Sequence, residues 1–191
     1  DENIGPIALK DIAACTTATG REMLGLAKHF ASVIFPKIIE YSLNDDNNFY
    51  SYCNEVLINR VNDYKWFDSF KDSIRSLFLD KNNKRKYLTD FSIAYGDTDS
   101  IFVNMDLRYL NGEYVYGNEL RDVYIKAGSI ASKVVEGLLP HPEKLEYEKV
   151  LSPFISMAKK RYVGNFYTNN PNKPDMQYNM GFVLKRRDNA R

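Results

Sequence analysis

Two aspartates one residue apart, Asp97 and Asp99, sit inside the run Tyr95-Gly96-Asp97-Thr98-Asp99-Ser100. Side chains at i and i+2 of an extended backbone point the same way, so the two carboxylates stand beside each other. Like charges that close repel and raise each other's pKa, and a shared cation relieves them. Mg²⁺ suits the pair: it takes oxygen ligands, commonly one or two carboxylates plus substrate phosphates. With two such ions, one activates an attacking oxygen and the other steadies a leaving pyrophosphate. Gly96 allows a sharp turn and the close approach of a substrate backbone. Thr98 and Ser100 offer hydroxyl donors to the carboxylates or to a phosphate. An Asp-x-Asp in isolation reads first as an exposed Asx-turn joining two strands; the six-residue context is what shifts the reading toward chemistry.

The elements that must position this turn are legible on both sides. Phe91 to Tyr95 and Ile101 to Met105 read as short strands. Asn111-Gly112 marks a second turn, between Tyr109-Leu110 and Tyr114-Val115-Tyr116. From Asn118 to Leu139 the apolar positions Leu120, Val123, Tyr124, Ala127, Ile130, Ala131, Val134 and Leu138 keep a helical period, with Asn118 as N-cap and Gly137 and Pro140 closing the helix. Leu145 to Val150 reads as a strand, Ser152-Pro153 as a turn, and Phe154 to Met157 and Tyr162 to Tyr167 as further strands. Upstream, Ile12 to Ile39 reads as a helix with Met23, Ala27, Phe30, Ala31 and Ile34 on one face, which Pro36 should kink or end. Residues 43–89 are polar and Asn-rich, with two short amphipathic helices around Phe49–Arg60 and Phe67–Phe78. They read as a mostly helical insertion rather than as core. The fold class is α+β, an antiparallel sheet with helices packed on one face.

Composition sets bounds without naming a partner. The 191 residues carry 26 basic and 25 acidic side chains, a net charge of +1, so overall charge does not announce a polyanion binder. Basic residues are nonetheless concentrated at Lys81–Lys86, Lys159–Arg161 and Lys185–Arg187. Cys15 and Cys53 make neither a disulfide framework nor a zinc site, which fits a reducing compartment. No apolar run approaches the length of a membrane span, and the first residues show no signal peptide.

Strand, Tyr-Gly-Asp-Thr-Asp-Ser, strand resembles motif C of the family B DNA polymerases. Three further blocks follow that family's order. Thr19-Gly20-Arg21-Glu22-Met23 resembles the helix after the fingers motif. Leu145-Glu146-Tyr147-Glu148-Lys149-Val150, with Pro153-Phe154 and Lys159-Lys160-Arg161-Tyr162, resembles the palm stretch after motif C. Lys185-Arg186-Arg187-Asp188-Asn189 resembles the palm-to-thumb passage. The resemblance is to the polymerase delta-like branch, which includes large DNA viruses. It implies a division into a fingers/palm helix (1–42), an insertion (43–89), a palm with motif C and the Lys-Lys-Arg-Tyr block (90–168) and a palm-to-thumb segment (169–191). It implies template-directed DNA synthesis from dNTPs on a primer 3′-OH, with Asp97 and Asp99 as catalytic metal ligands, Asp99 the stronger, for two Mg²⁺ ions. Thr98 would lie near the primer terminus. Lys159, Lys160 and Tyr162 would contact the primer strand and its minor groove, and Arg186 and Arg187 the DNA backbone. The implied partners are primer-template DNA, dNTP, the rest of the polymerase and a sliding clamp. The implied location is the nucleus or a viral replication site in the cytoplasm, with no membrane.

The family pattern also breaks. The upstream Asp of a Ser-Leu-Tyr-Pro strand motif and the fingers Lys with its Asn-Ser-x-Tyr-Gly run are not found in these 191 residues, so the chain is expected to be inactive alone. Three other readings compete. One is a haloacid-dehalogenase-type phosphatase with Asp97 as nucleophile; another is a non-catalytic DNA-binding or scaffold module. The third is an RNA polymerase palm, against which the Thr spacer and the Lys-Lys-Arg-Tyr block weigh.

Overall fold

The structure, a computed structural model, describes residues 7–9, 12–15, 21–44, 46–97 and 100–181. In chain order the elements are β1 (Ile7–Leu9), β2 (Ile12–Cys15), α1 (Arg21–His29), a π-helical turn (Phe30–Ile34), α2 (Phe35–Asn44), α3 (Asp46–Val56), a 3₁₀ turn (Ile58–Arg60) and α4 (Tyr64–Phe78). They continue as β3 (Tyr87–Leu88), β4 (Ser92–Gly96), β5 (Ile101–Asn104), β6 (Arg108–Tyr109), α5 (Gly117–Val135), β7 (Tyr147–Ala158), β8 (Arg161–Tyr167) and β9 (Met176–Met180). The main sheet has the order β4-β5-β2-β7-β8-β9, with β1 also on β7. Every pairing among the described strands is antiparallel. The mixed α+β class is as expected. Among the described residues, no helix is long and apolar enough to cross a membrane.

The upstream helix differs from its expected extent. Ile12–Cys15 is a strand lying between β5 and β7, and the described helix begins at Arg21. Its apolar face is the expected one, with Ala27, Phe30, Ala31 and Ile34 buried. Pro36 does not end it. A proline inside an α-helix has no N–H and collides with the carbonyl four residues back. Here the helix widens into a π turn, the Phe35 N–H donating to Phe30 O, and the chain continues as α2. A π-bulge is one of the few ways a helix absorbs such a residue.

Residues 43–89 were expected to stand apart from the core. The structure instead sinks their apolar faces into it. Phe49, Cys53, Leu57, Phe67, Phe70 and Ile74 have no exposed surface and share one cluster with Ile38 and Ile39 of α2 and Tyr124 of α5. Phe49–Phe70 and Trp66–Phe70 meet edge to face at 5.8 and 5.1 Å, the geometry aromatic quadrupoles favour. Part of the polar content that gave the segment its loop-like composition lies on the outer faces of α3 and α4, and the rest in the turns at 59–63 and 80–86. Burial pushes the Cys53 thiol up to about 12, so it behaves as a small apolar residue rather than a nucleophile.

Two turns also differ. Asn118 lies inside α5, whose N-cap is Tyr116 with no side-chain cap bond. Ser152-Pro153 does not reverse the chain. Strand β7 runs through it, and the register against β8 slips between Leu151 and Phe154. This is a bulge, which bends a strand and increases its twist. Opposite it stands Gly164, where an added Cβ would lie 2.5 Å from the Pro153 carbonyl oxygen. The close backbone approach at this bend therefore requires glycine. Strand β9 was not expected, because its neighbourhood is rich in Asn and Pro.

Alternation along the strands sorts the core onto two faces. Ile101, Val103 and Val150 point into the large cluster built with the helices. Phe102, Leu151, Phe154 and Tyr162 form a second cluster, joined by Ala94, Tyr95, Phe166 and Met180, and every described member of it comes from a strand.

Candidate active site at the β4–β5 hairpin

The hairpin that carries the acidic pair forms as the sequence predicts. Gly96 faces Ile101 across the last rung of the β4–β5 ladder. The Asp97 N–H then donates to the Ser100 carbonyl at 2.9 Å, closing the tip. The Asp97 side chain is 18% exposed. Thr98 and Asp99 lie outside the described residues, as do Arg186 and Arg187. Behind the tip, the side chain of Lys28 on α1 comes close to Gly96: a Cβ there would meet Lys28 Cε at 3.0 Å. Sequence reasoning missed Lys28, since nothing local links a helix residue to a turn 68 positions later.

The Lys159-Lys160 pair occupies the β7–β8 turn, and the structure brings it to the Asp97 hairpin. In the sheet, β4 and β7 are separated by β5 and β2. Strands about 4.8 Å apart would place them roughly 14 Å from each other if the sheet were flat. The ring contacts are far shorter. Phe102 of β5 stacks on Phe154 of β7 with centroids 5.5 Å apart and meets Tyr162 of β8 at 5.3 Å. Tyr95 of β4 reaches Tyr162 at 5.9 Å. The outer half of the β7–β8 hairpin therefore folds over the strand-only face of the sheet. The Leu151–Phe154 bulge and Gly164 are what permit the bend.

Polar contacts join the folded-over turn to the hairpin. The backbone N–H of Lys160 donates to the Tyr95 hydroxyl oxygen at 2.9 Å. The Tyr95 hydroxyl lies 3.4 Å from Asp97 Oδ2, a long hydrogen bond. Lys160 Nζ is 3.8 Å from Asp97 Oδ1, with the lysine side chain 62% exposed, so the pairing is solvent-screened and weak. Lys160 has φ +58°, a left-handed conformation uncommon for a residue with a Cβ. Lys159 is exposed. Tyr162, expected to touch the primer strand, is only 6% exposed and packs in the aromatic cluster. Tyr95 is a further site residue the sequence reading passed over, although its i, i+2 spacing to Asp97 places both on one side of the strand.

The donor set at the tip is of the kind a hard cation takes. Asp97 offers carboxylate oxygens at a partly open rim, next to hydroxyl oxygen. One carboxylate is not a metal site, and among the described residues no group of three or more His, Cys, Asp or Glu residues could hold an ion. A metal site here would need carboxylates beyond those of the described residues.

Comparison with known proteins gives the family. The profile of DNA polymerase family B matches residues 4–191. The chain is 32% identical over 188 residues to a DNA polymerase of Pyramimonas orientalis virus, covering 97% of the chain and 11% of that protein. It is 43% identical over 94 residues to a DNA polymerase of Acanthamoeba polyphaga mimivirus, covering 49% of the chain and 5% of that protein. It is 32% identical over 120 residues to the DNA polymerase delta catalytic subunit of Drosophila melanogaster, covering 63% of the chain and 10% of that protein. The chain thus spans about a tenth or less of the length of these curated relatives. With a match across nearly its whole length, the chain belongs to DNA polymerase family B.

Proposed function

We propose that this chain is the palm portion of a replicative DNA polymerase in which the β4–β5 tip holds catalytic carboxylates and the β7–β8 turn holds the primer duplex beside them. The observation that carries the reading is the fold-over that puts the Lys160 backbone 2.9 Å from Tyr95 and its ammonium 3.8 Å from Asp97. Cations for a polyanion and a carboxylate for metal chemistry meet at one edge of the sheet.

Asp97 and Asp99 would hold Mg²⁺ together with a carboxylate from another part of the polymerase. Bound there, the ions would neutralise charge on the attacking and leaving oxygens of nucleotidyl transfer from dNTP to a primer 3′-OH. The rest falls to the protein. The closed turn at Asp97–Ser100 fixes the carboxylate at the strand end, and Thr98 lies beside the primer terminus. Lys159 and Lys160 donate to the minor-groove acceptors N3 and O2, which A·T and T·A pairs present alike, so a lysine tracks paired duplex without reading sequence. Tyr162, within the aromatic cluster, supports the turn and meets the primer strand with its small exposed surface. Arg186 and Arg187 contact the DNA backbone. The remaining polymerase and a sliding clamp are the protein partners, at a nuclear or viral replication site. The division into 1–42, 43–89, 90–168 and 169–191 belongs to the same proposal, with 43–89 an insertion that is packed into the core.

The test is primer extension with Mg²⁺. The 191-residue chain alone gives none. Supplying the parts that carry the missing Asp and fingers Lys restores it, and Asp99→Ala abolishes the restored activity. Robust incorporation by the chain alone, or no restoration by any complementing piece, contradicts the proposal. The phosphatase reading expects a parallel sheet, and the described sheet is antiparallel throughout. The non-catalytic reading predicts duplex binding that Lys160→Ala weakens while polymerisation stays absent in the complemented protein.

A further inference from the structure

We propose that the Tyr95 hydroxyl is a positioning group that latches the Lys159-Lys160 turn over the carboxylate hairpin, so that primer-duplex affinity depends on one oxygen atom of β4. The inference rests on the reading of the β7–β8 turn as the duplex-holding element.

Three observations carry it. First, the β7–β8 tip has to be held where it is. It lies over the sheet's face and not in a ladder with β4 or β5. The described β2 pairs with β7 only as far as Leu151, and β1 only from Phe154 to Ser156. Among the described residues, the final residues of β7 pair laterally only with β8, and the turn beyond them is approached from the β9 side by Gly181, where a Cβ would lie 2.5 Å from the Lys160 carbonyl oxygen. Second, Tyr95 supplies two separable contacts. Its ring packs on Phe102 at 5.2 Å and on Tyr162 at 5.9 Å, while its hydroxyl accepts from the Lys160 N–H at 2.9 Å. The ring anchors the aromatic cluster; the hydroxyl grips the turn. Third, the gripped residue is the one in the left-handed conformation, φ +58°. A residue with a Cβ persists there when its surroundings fix it, and the bond to Tyr95 is a contact that does so. In this conformation the lysine ammonium reaches toward Asp97. Released, the turn can relax to an ordinary backbone conformation, and the Lys160 ammonium leaves the Asp97 hairpin.

Tyr95→Phe separates the hydroxyl from the ring. The experiment uses the complete polymerase carrying this segment and measures equilibrium binding of a primer-template duplex without divalent cation, at several salt concentrations. The set is wild type, Lys160→Ala, Tyr95→Phe and the double variant. Hydrogen exchange across residues 157–162 is followed in parallel.

Lys160→Ala is expected to weaken binding roughly tenfold and to flatten the salt dependence by about one counterion. Tyr95→Phe should weaken it about three- to tenfold, raise the KM for primer-template by a larger factor than it lowers kcat, and speed exchange in the 157–162 turn but not in β5. The double variant should lose less affinity relative to Lys160→Ala than Tyr95→Phe loses relative to wild type. That non-additivity is the mark of two groups acting through one contact. If Lys160→Ala binds like wild type, the duplex-holding reading itself fails. If Lys160→Ala weakens binding but Tyr95→Phe matches wild type, or if the two effects add, the latch fails and the reading stands. Should Tyr95→Phe perturb the whole fold, exchange would rise throughout the sheet, and a purely structural role would replace the latch.

Discussion

The hydroxyl of Tyr95 lies 2.9 Å from the backbone nitrogen of Lys160, joining two residues 65 positions apart, one in β4 and the other in the β7–β8 turn. One is two residues before Asp97, the other at the tip of a hairpin folded across the sheet. The contact converts two sequence blocks into one site. It also makes the position of the lysine turn depend on a bend in β7, on a glycine opposite that bend and on a strained residue at the tip.

The strained residue gives a direct prediction. Left-handed backbone costs an L-residue about 1–2 kcal/mol, which glycine avoids while losing about 0.5–1 kcal/mol in chain entropy. Lys160→Gly, at φ +58°, should raise unfolding free energy by about 0.5–1 kcal/mol. It should also weaken primer-duplex binding, because the ammonium is gone while the Tyr95 contact stays. Urea denaturation and duplex titration of the same variant check both signs. A variant that is both less stable and equally tight in binding would contradict the assignment.

The bend gives another. At Gly164 an alanine Cβ would come within 2.5 Å of the Pro153 carbonyl oxygen. That neighbour is backbone and cannot rotate away. Gly164→Ala should cost about 1–3 kcal/mol, the usual range for overpacking, and should open the β7–β8 fold-over. Thermal melting reads the first effect, and duplex binding reads the second at a temperature where the variant is folded. Gly112→Ala serves as a contrast. Its Cβ meets nothing within 4 Å, so its cost is confined to φ +88° at the turn.

Much of the hairpin was legible because its signals are local. Alternating apolar residues flanking Gly-Asp-Thr-Asp-Ser predict strand, turn, strand, and β4 and β5 fall there. The helices α3, α4 and α5 announced themselves by period. Three features were not legible, each for a physical reason. The π turn before Pro36 is a compromise between a proline and a buried helix face, and no residue pattern encodes which gives way. The Ser152-Pro153 bulge uses the same residues as a turn; only its partner strand β8 decides between them. The site's assembly, with Lys28, Tyr95, Asp97 and Lys160 together, needs contacts across the folded sheet that spacing along the chain does not contain. Asp99, Thr98, Arg186 and Arg187 lie outside the described residues.

A pH dependence follows from a cluster remote from the site. Glu119 on α5 accepts hydrogen bonds from the Tyr87 and Tyr109 hydroxyls, both at 2.6 Å. Burial, then the Glu119 bond, pushes Tyr87 upward; the Glu119 bond, then burial, does the same to Tyr109. Raised folded values mean that the contribution is complete below the unfolded tyrosine value of about 10. It is lost as pH climbs through the folded values. Unfolding free energy, measured in urea from pH 8 to 11.5, should fall above pH about 10. The fall should be shallower in Tyr87→Phe/Tyr109→Phe. An equally steep alkaline fall in that double variant would exclude the cluster as its source.

The central claim is that the β4–β5 tip is the catalytic carboxylate edge of a polymerase, served by the turn that Tyr95 and Lys160 join. The most direct measurement is single-turnover primer extension by the complete polymerase, with Asp97→Asn and Asp99→Asn each compared with wild type, alongside duplex binding. Extension should fall at least about a hundredfold, the scale seen when one electrostatic stabiliser of a transition state is removed, while primer-template affinity stays within a few-fold. Extension at the wild-type rate in either variant would contradict the account.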